Sequence, residues 1–173
     1  MMTMTPPLRK LALTAHVTSS VGWLGSVAAF LALAIAGLTC QEAPTVRAAY
    51  LAMDLITWLV IVPLSLASLL TGVVQSLGTP WGLLRHYWVV FKLLLTVVAT
   101  GVLLLHTRPI HYVASVAAET ALSGGDLRQV RIQLVADAAA ALVTLLVATA
   151  LSVYKPRGVT RYGRREQRAA LVL

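Results

Sequence analysis

The chain holds one cysteine, Cys40, so no disulfide can form within it, and its cysteine usage carries no information about redox compartment. Charge is scarce as well: Asp, Glu, Lys and Arg make up 12% of 173 residues, and only six of them are acids. A soluble globular domain is about 25% charged and roughly half apolar. With 58% hydrophobic residues and a mean hydropathy of +0.82, this chain falls outside that class. No internal repeat is visible, low-complexity sequence is confined to the alanine run 138–141, and no two histidines stand in the H-x-x-x-H spacing of a compact metal motif.

What is present is apolar sequence in long runs. Leu11 to Leu38 contains no formally charged residue and one histidine, His16. At about 1.5 Å per residue such a helix more than crosses a hydrocarbon core of about 30 Å. A signal peptide would have an apolar core of only about 7–15 residues, so the run is read as a span. Gly37-Leu38-Thr39 before Cys40 is likewise a poor lipoprotein signal. Similar runs at about 50–77, 87–105 and 132–154 predict an all-α integral membrane four-helix bundle. Residues 1–155 form its membrane domain, and 156–173 form a basic, disordered cytoplasmic tail. Connections are expected at Thr39–Ala49, at the turn Gly78-Thr79-Pro80-Trp81-Gly82, and over Thr107–Asp126, where Val113–Leu122 is helix-prone, Ser123-Gly124-Gly125 breaks the chain and Asp126 caps the last helix.

Within the first span Ala12, Ala15, Ser19, Gly22, Ser26 and Ala29 form a seam of small residues, the kind that lets helices approach closely in lipid. The second span carries Asp54, Thr57, Ile61, Ser65, Ser68, Gly72 and Gln75 on one stripe, with Pro63 expected to kink it. The third aligns Lys92, Thr96, Ala99, Leu103 and His106. The fourth aligns Leu127, Val130, Leu134, Asp137, Ala141, Thr144 and Ala148.

The net charge of +8 would suggest nucleic acid in a soluble protein, but here position decides. Arg9, Lys10, Arg85, Lys155, Arg157, Arg161, Arg164, Arg165 and Arg168 fall on one side of the spans, and Arg47, Arg108, Arg128 and Arg131 on the other. The excess predicts both termini in the cytoplasm, a lipid bilayer as the partner and no nucleic acid.

Each span holds an ionisable residue on its stripe: His16, Asp54, Lys92 and Asp137. A central Lys or Asp costs about 2.5–3.5 kcal/mol to insert, so such residues face the bundle interior and find partners. His16 and Lys92 each lie five residues into spans that run in the same direction, which places them at one inner level, with Arg85 and His86 near the mouth. Asp54, Asp137 and His106 share the outer level. The outer cluster reads either as a structural polar network or as a proton or cation site, with Arg108 as a further counter-charge. Metal binding by Cys40, His106 and His111 suits copper or zinc. Lys92 either snorkels to the interface or shares a ligand with His16, which itself either hydrogen-bonds to Ser19 or Ser20 or ligates something. An anionic cofactor such as haem b would satisfy both groups, with its iron for the imidazole and its propionates for Lys92 and Arg85. His111, two residues after Pro109, is expected to be a solvated loop residue.

His16 followed by Trp23 and Gly25, in H-V-T-S-S-V-G-W-L-G, resembles the first helix of CopD-type copper-resistance membrane proteins and, more loosely, of HemJ-type protoporphyrinogen oxidases. Trp88-Val89-Val90-Phe91-Lys92-Leu93 resembles the W-x-x-x-K-L that opens a later helix in those families. Where HemJ-type proteins usually carry a histidine inside that motif, this chain has Val89, Val90 and Phe91. Lys10 stands six residues before His16 rather than about three. The resemblance is therefore nearer to small four-helix bacterial proteins related to CopD. Carried over, His16 is the families' first-helix histidine, a haem-ligand candidate in HemJ-type proteins, Trp23 is its motif companion and Lys92 is the family lysine; Arg85 and His86 are companions through their place near the mouth of the inner level.

Three functions follow as expectations: a b-type haem-binding or redox-linked protein of the bacterial cytoplasmic membrane, a small transporter or handler of ions including copper, or a non-enzymatic subunit working as a homo-oligomer or with a membrane partner. Whether the chain catalyses a reaction stays open at this point.

Overall fold

The structure, a computed structural model, describes residues 4–78, 83, 85–119, 127–154, 156, 158–161 and 163–164. Four helices account for nearly all of them: α1 (Pro6–Thr39), α2 (Ala43–Leu77), α3 (Tyr87–Glu119) and α4 (Arg128–Tyr154). Each is long and apolar enough to cross a membrane. Among the described residues there is no strand, only an isolated bridge between His86 and Val159. α1 packs against α2 and α4, and α3 packs against the same two, so α1 and α3 face each other across a four-membered ring.

Pro6 and Pro7 open α1 in the first turn, where a missing N–H costs no hydrogen bond. The helix buries Ser19, Trp23, Ser26, Val27, Phe30, Ala34 and Gly37. Ser19 and Ser26 of the expected seam are on this face, whereas Ala15 and Ala29 are exposed. Burying Trp23 and Phe30 removes far more apolar surface than burying alanine methyls, and that difference sets the rotation of the helix.

On α2 the expected stripe points inward: Thr57, Ile61, Ser65 and Ser68 are all buried. Thr57, Ser65 and Thr71 donate their hydroxyls to carbonyls of their own helix, so the buried polar atoms are satisfied locally. Pro63 acts through a π-turn over Thr57–Ile61, in which the Val62 N–H bonds to the Thr57 carbonyl five residues back. The wider turn absorbs the hydrogen bond that proline cannot make.

α3 differs from expectation at its outer end. It continues unbroken through Pro109 to Glu119, so the helix-prone stretch that begins at Val113 is joined to the span instead of being separated from it after Leu105. The added turns carry Val113, Ala114 and Ala117, which are completely or almost completely buried, with Val113 and Ala117 in one cluster with Tyr50 and Met53. That packing outweighs the one hydrogen bond lost at Pro109. α4 begins at Arg128, and the turns expected at residues 79–82 and 123–125, like the Asp126 cap, lie outside the described residues.

The segment after Pro156 departs from the free tail read in the sequence. Tyr87 N donates to the Gly158 carbonyl at 3.3 Å and Thr160 N to the Arg85 carbonyl at 3.0 Å, which ties the segment to the start of α3. Gly163 is buried there, and a Cβ on it would sit 2.7 Å from the Arg85 carbonyl oxygen, so only glycine fits. Lys155, Arg157 and residues 165–173 lie outside the described residues.

Candidate functional site

At the end of the bundle where α1 and α3 begin, expected to be the inner one, a cavity of about 560 Å³ opens among the helices, lined mostly by α1, α2 and α3. His16 reaches it from α1. Its Nδ1 lies 3.1 Å from the Ser68 carbonyl and 3.2 Å from Thr71 Oγ1. Thr71 spends its own hydrogen on the Ala67 carbonyl at 2.6 Å, so both neighbours of Nδ1 are acceptors. The hydrogen of the ring must therefore sit on Nδ1, which leaves Nε2 with its lone pair. That lone pair faces Lys92 Nζ at 3.3 Å, across the ring of helices from α3.

Gly72 is what allows this placement, because a Cβ there would stand 3.1 Å from His16 Cε1. Ser20 and Ser68 exchange a 2.8 Å hydrogen bond beside the imidazole and fix α1 against α2. Lys92 thus turns inward to His16, away from the snorkelled alternative, and His16 bonds to α2 instead of to Ser19 or Ser20. Arg9 and Trp88 also line the cavity, and neither was singled out from sequence for this site. Among the described lining residues there is no carboxylate, so Arg9 and Lys92 make the cavity electropositive.

The other companions expected of His16 lie elsewhere. Trp23 is buried about two turns farther along the same face of α1 and lines a second cavity. Arg85 and His86 belong to the segment paired with Gly158–Thr160 and are not among the residues lining the inner cavity.

The polar residues expected at the outer level divide into two pairs in place of one cluster. His106 Nε2 lies 2.9 Å from Asp137 Oδ2, while its Nδ1 donates to the Val102 carbonyl at 2.8 Å. His111 Nδ1 lies 3.2 Å from Asp54 Oδ2. His111 is thus a helical residue with a carboxylate partner, although its ring is 70% exposed. The helical continuation past Pro109 brings it there, and a loop reading of that segment could not. Cys40 packs at the edge of the apolar core. Among the described residues no three His, Cys, Asp or Glu side chains come together in a way that could hold a metal ion.

One buried charge escaped sequence reasoning. Arg131, read as an interfacial residue outside the last span, is 3% exposed. Its Nε donates to Tyr50 Oη at 2.8 Å, its Nη2 donates to the Gly37 carbonyl, and its guanidinium lies over the Tyr50 ring at 5.6 Å. Nothing in the pattern of α4 announces this, because the acceptors come from two other helices.

The fold and these sites define a four-helix protein whose helices are all candidate membrane spans. Comparison with protein-family models, with curated proteins and with solved structures finds no match.

Proposed function

We propose that the chain is a multi-pass protein of a bacterial cytoplasmic membrane, with both termini inside, whose inner cavity binds b-type haem. The observation that carries this reading is the state of His16. Its Nδ1–H is held by a backbone carbonyl, and the Nε2 lone pair points into the cavity. A histidine whose far nitrogen is anchored in this way is oriented to ligate a metal.

The remaining lining fits the group. Arg9 and Lys92 supply two cations for two carboxylates, Leu13, Val17 and Leu93 supply apolar wall, and Trp88 supplies an aromatic surface. The volume lies within the range of about 300–1,000 Å³ usual for cofactor sites. Haem, when bound, would supply an iron centre able to exchange an electron. The chain's own residues hold the imidazole in one tautomer, place Lys92 to move its ammonium from Nε2 to a carboxylate, and exclude acidic groups. The dispersal of Cys40, His106 and His111 makes copper the weaker reading. The basic asymmetry between alternate segments supports the orientation.

The test is the visible spectrum of protein purified from membranes of haem-replete cells. A Soret band is expected for wild type, lost in His16→Ala, weakened in Lys92→Ala and unchanged in His111→Ala. A wild type without the band, or an equal band in His16→Ala, refutes the reading.

A further inference from the structure

A second cavity, of about 270 Å³, lies in the outer half of the bundle between α3 and α4, away from His16. Its floor is aromatic, formed by the buried Trp23 and Phe30. Val98, Val102 and Ala140 line it as well, and all three are exposed on the outside of the bundle, at positions that face hydrocarbon in a membrane. A molecule enters such a cavity from lipid.

Besides the Trp23 indole, the polar side chains lining it are His106, Asp137 and Thr144. The Thr144 hydroxyl donates to the Ala140 carbonyl at 2.8 Å, so its hydrogen is used. The His106 Nδ1 hydrogen goes to the Val102 carbonyl. Asp137 Oδ2 is sealed from solvent and faces His106 Nε2 at 2.9 Å without an aligned hydrogen bond. Oδ2 is thus turned to the histidine, and Oδ1 remains as an acceptor on a side chain 35% exposed. An acceptor set in an apolar wall calls for a donor.

We propose that this cavity binds the ring of a lipid-soluble phenol or hydroquinone, whose hydroxyl donates to Asp137 Oδ1. The ring lies against Trp23 and Phe30, and a tail leaves past Val98 and Val102 into lipid. The volume, just under the range of about 300–1,000 Å³ common for ligand sites, suits one substituted ring. A plain acyl chain would fill the space and leave Oδ1 without a donor. A cation would find a single carboxylate. This inference is independent of haem at His16, because it uses different residues at the opposite end of the bundle.

The experiment uses protein in which Trp58, Trp81 and Trp88 are replaced by Phe, so that fluorescence reports on Trp23 alone. The probes are 2,3-dimethoxy-5-methyl-6-decyl-1,4-hydroquinone and decylbenzene, each partitioned into the same detergent micelles. Saturable quenching by the hydroquinone is expected, with none by decylbenzene. Loss of the hydrogen bond should weaken binding about tenfold in Asp137→Leu, while Asp137→Asn keeps an acceptor and most of the affinity. Ala141→Phe, which fills the cavity, should abolish saturation. Equal saturation by decylbenzene would make the cavity an acyl-chain groove and overturn the proposal. So would a hydroquinone that never saturates, or an unchanged affinity in a folded Asp137→Leu. If a variant fails to fold, as judged by helical circular dichroism, the two-probe comparison on the parent protein decides alone.

Discussion

Tyr50→Phe isolates one atom in the buried junction of α1, α2 and α4. The Arg131 Nε carries a single hydrogen, directed at Tyr50 Oη at 2.8 Å in surroundings where Arg131 is 3% exposed. Phenylalanine keeps the ring beneath the guanidinium, and with it the contact at 5.6 Å, but removes the acceptor. A hydrogen bond to a charged group contributes about 1.5–3 kcal/mol in a soluble protein. Between membrane helices the average is nearer 0.6 kcal/mol with a maximum of about 1.7, because the unfolded chain in lipid finds other partners. Full burial and charge place this bond at the top of the membrane range, so Tyr50→Phe should cost about 1.5 kcal/mol. The assay is reversible unfolding in mixed micelles titrated with dodecyl sulfate and followed by helical circular dichroism. Arg131→Met and the double variant close a cycle, and a coupling energy of about 1.5 kcal/mol is expected. A loss below about 0.3 kcal/mol, or a coupling energy indistinguishable from zero, would refute the reasoning, since the bond would then contribute no more than an exposed contact.

Two further predictions use the same structural detail. Gly72→Leu should remove haem absorbance while leaving the unfolding transition within about 1.5 kcal/mol of wild type, because the new side chain displaces the His16 ring, 3.1 Å from its Cβ, in a region with an adjoining cavity. Retention of the full Soret band in that variant would remove His16 from the site. The proposed orientation is checked by labelling single cysteines in a Cys40→Ser background: an impermeant maleimide should reach the exposed Ala43→Cys from outside intact cells and should not reach the exposed Arg164→Cys, and the reverse pattern refutes it.

How much of this was legible in the sequence depends on which physical variable fixed each feature. Apolar run length is a property of the chain alone, so four helices able to cross a membrane follow directly from it. The inward stripe of α2, through Thr57, Ile61, Ser65 and Ser68, follows from the 3.6-residue period. Depth along parallel helices also reads from sequence, because helices in a bundle share one axis direction; matching depth pairs His16 with Lys92, and they meet at 3.3 Å.

Rotation about each axis, and contacts across three helices, are decided only by packing. The bulk of Trp23 and Phe30 turned α1 so that Ala15 and Ala29 of the small-residue seam are exposed while Ser19 and Ser26 stay buried, and burial of Val113 and Ala117 carried α3 through Pro109, which delivered His111 to Asp54. His106 went to Asp137 alone for the same reason: depth names the level of a side chain, while the rotation of its helix names its partner. Arg131 shows the limit most clearly. In sequence it is one more basic residue near a helix end, and its burial exists only because Gly37 and Tyr50, from two other helices, converge on it and replace the water it would otherwise keep.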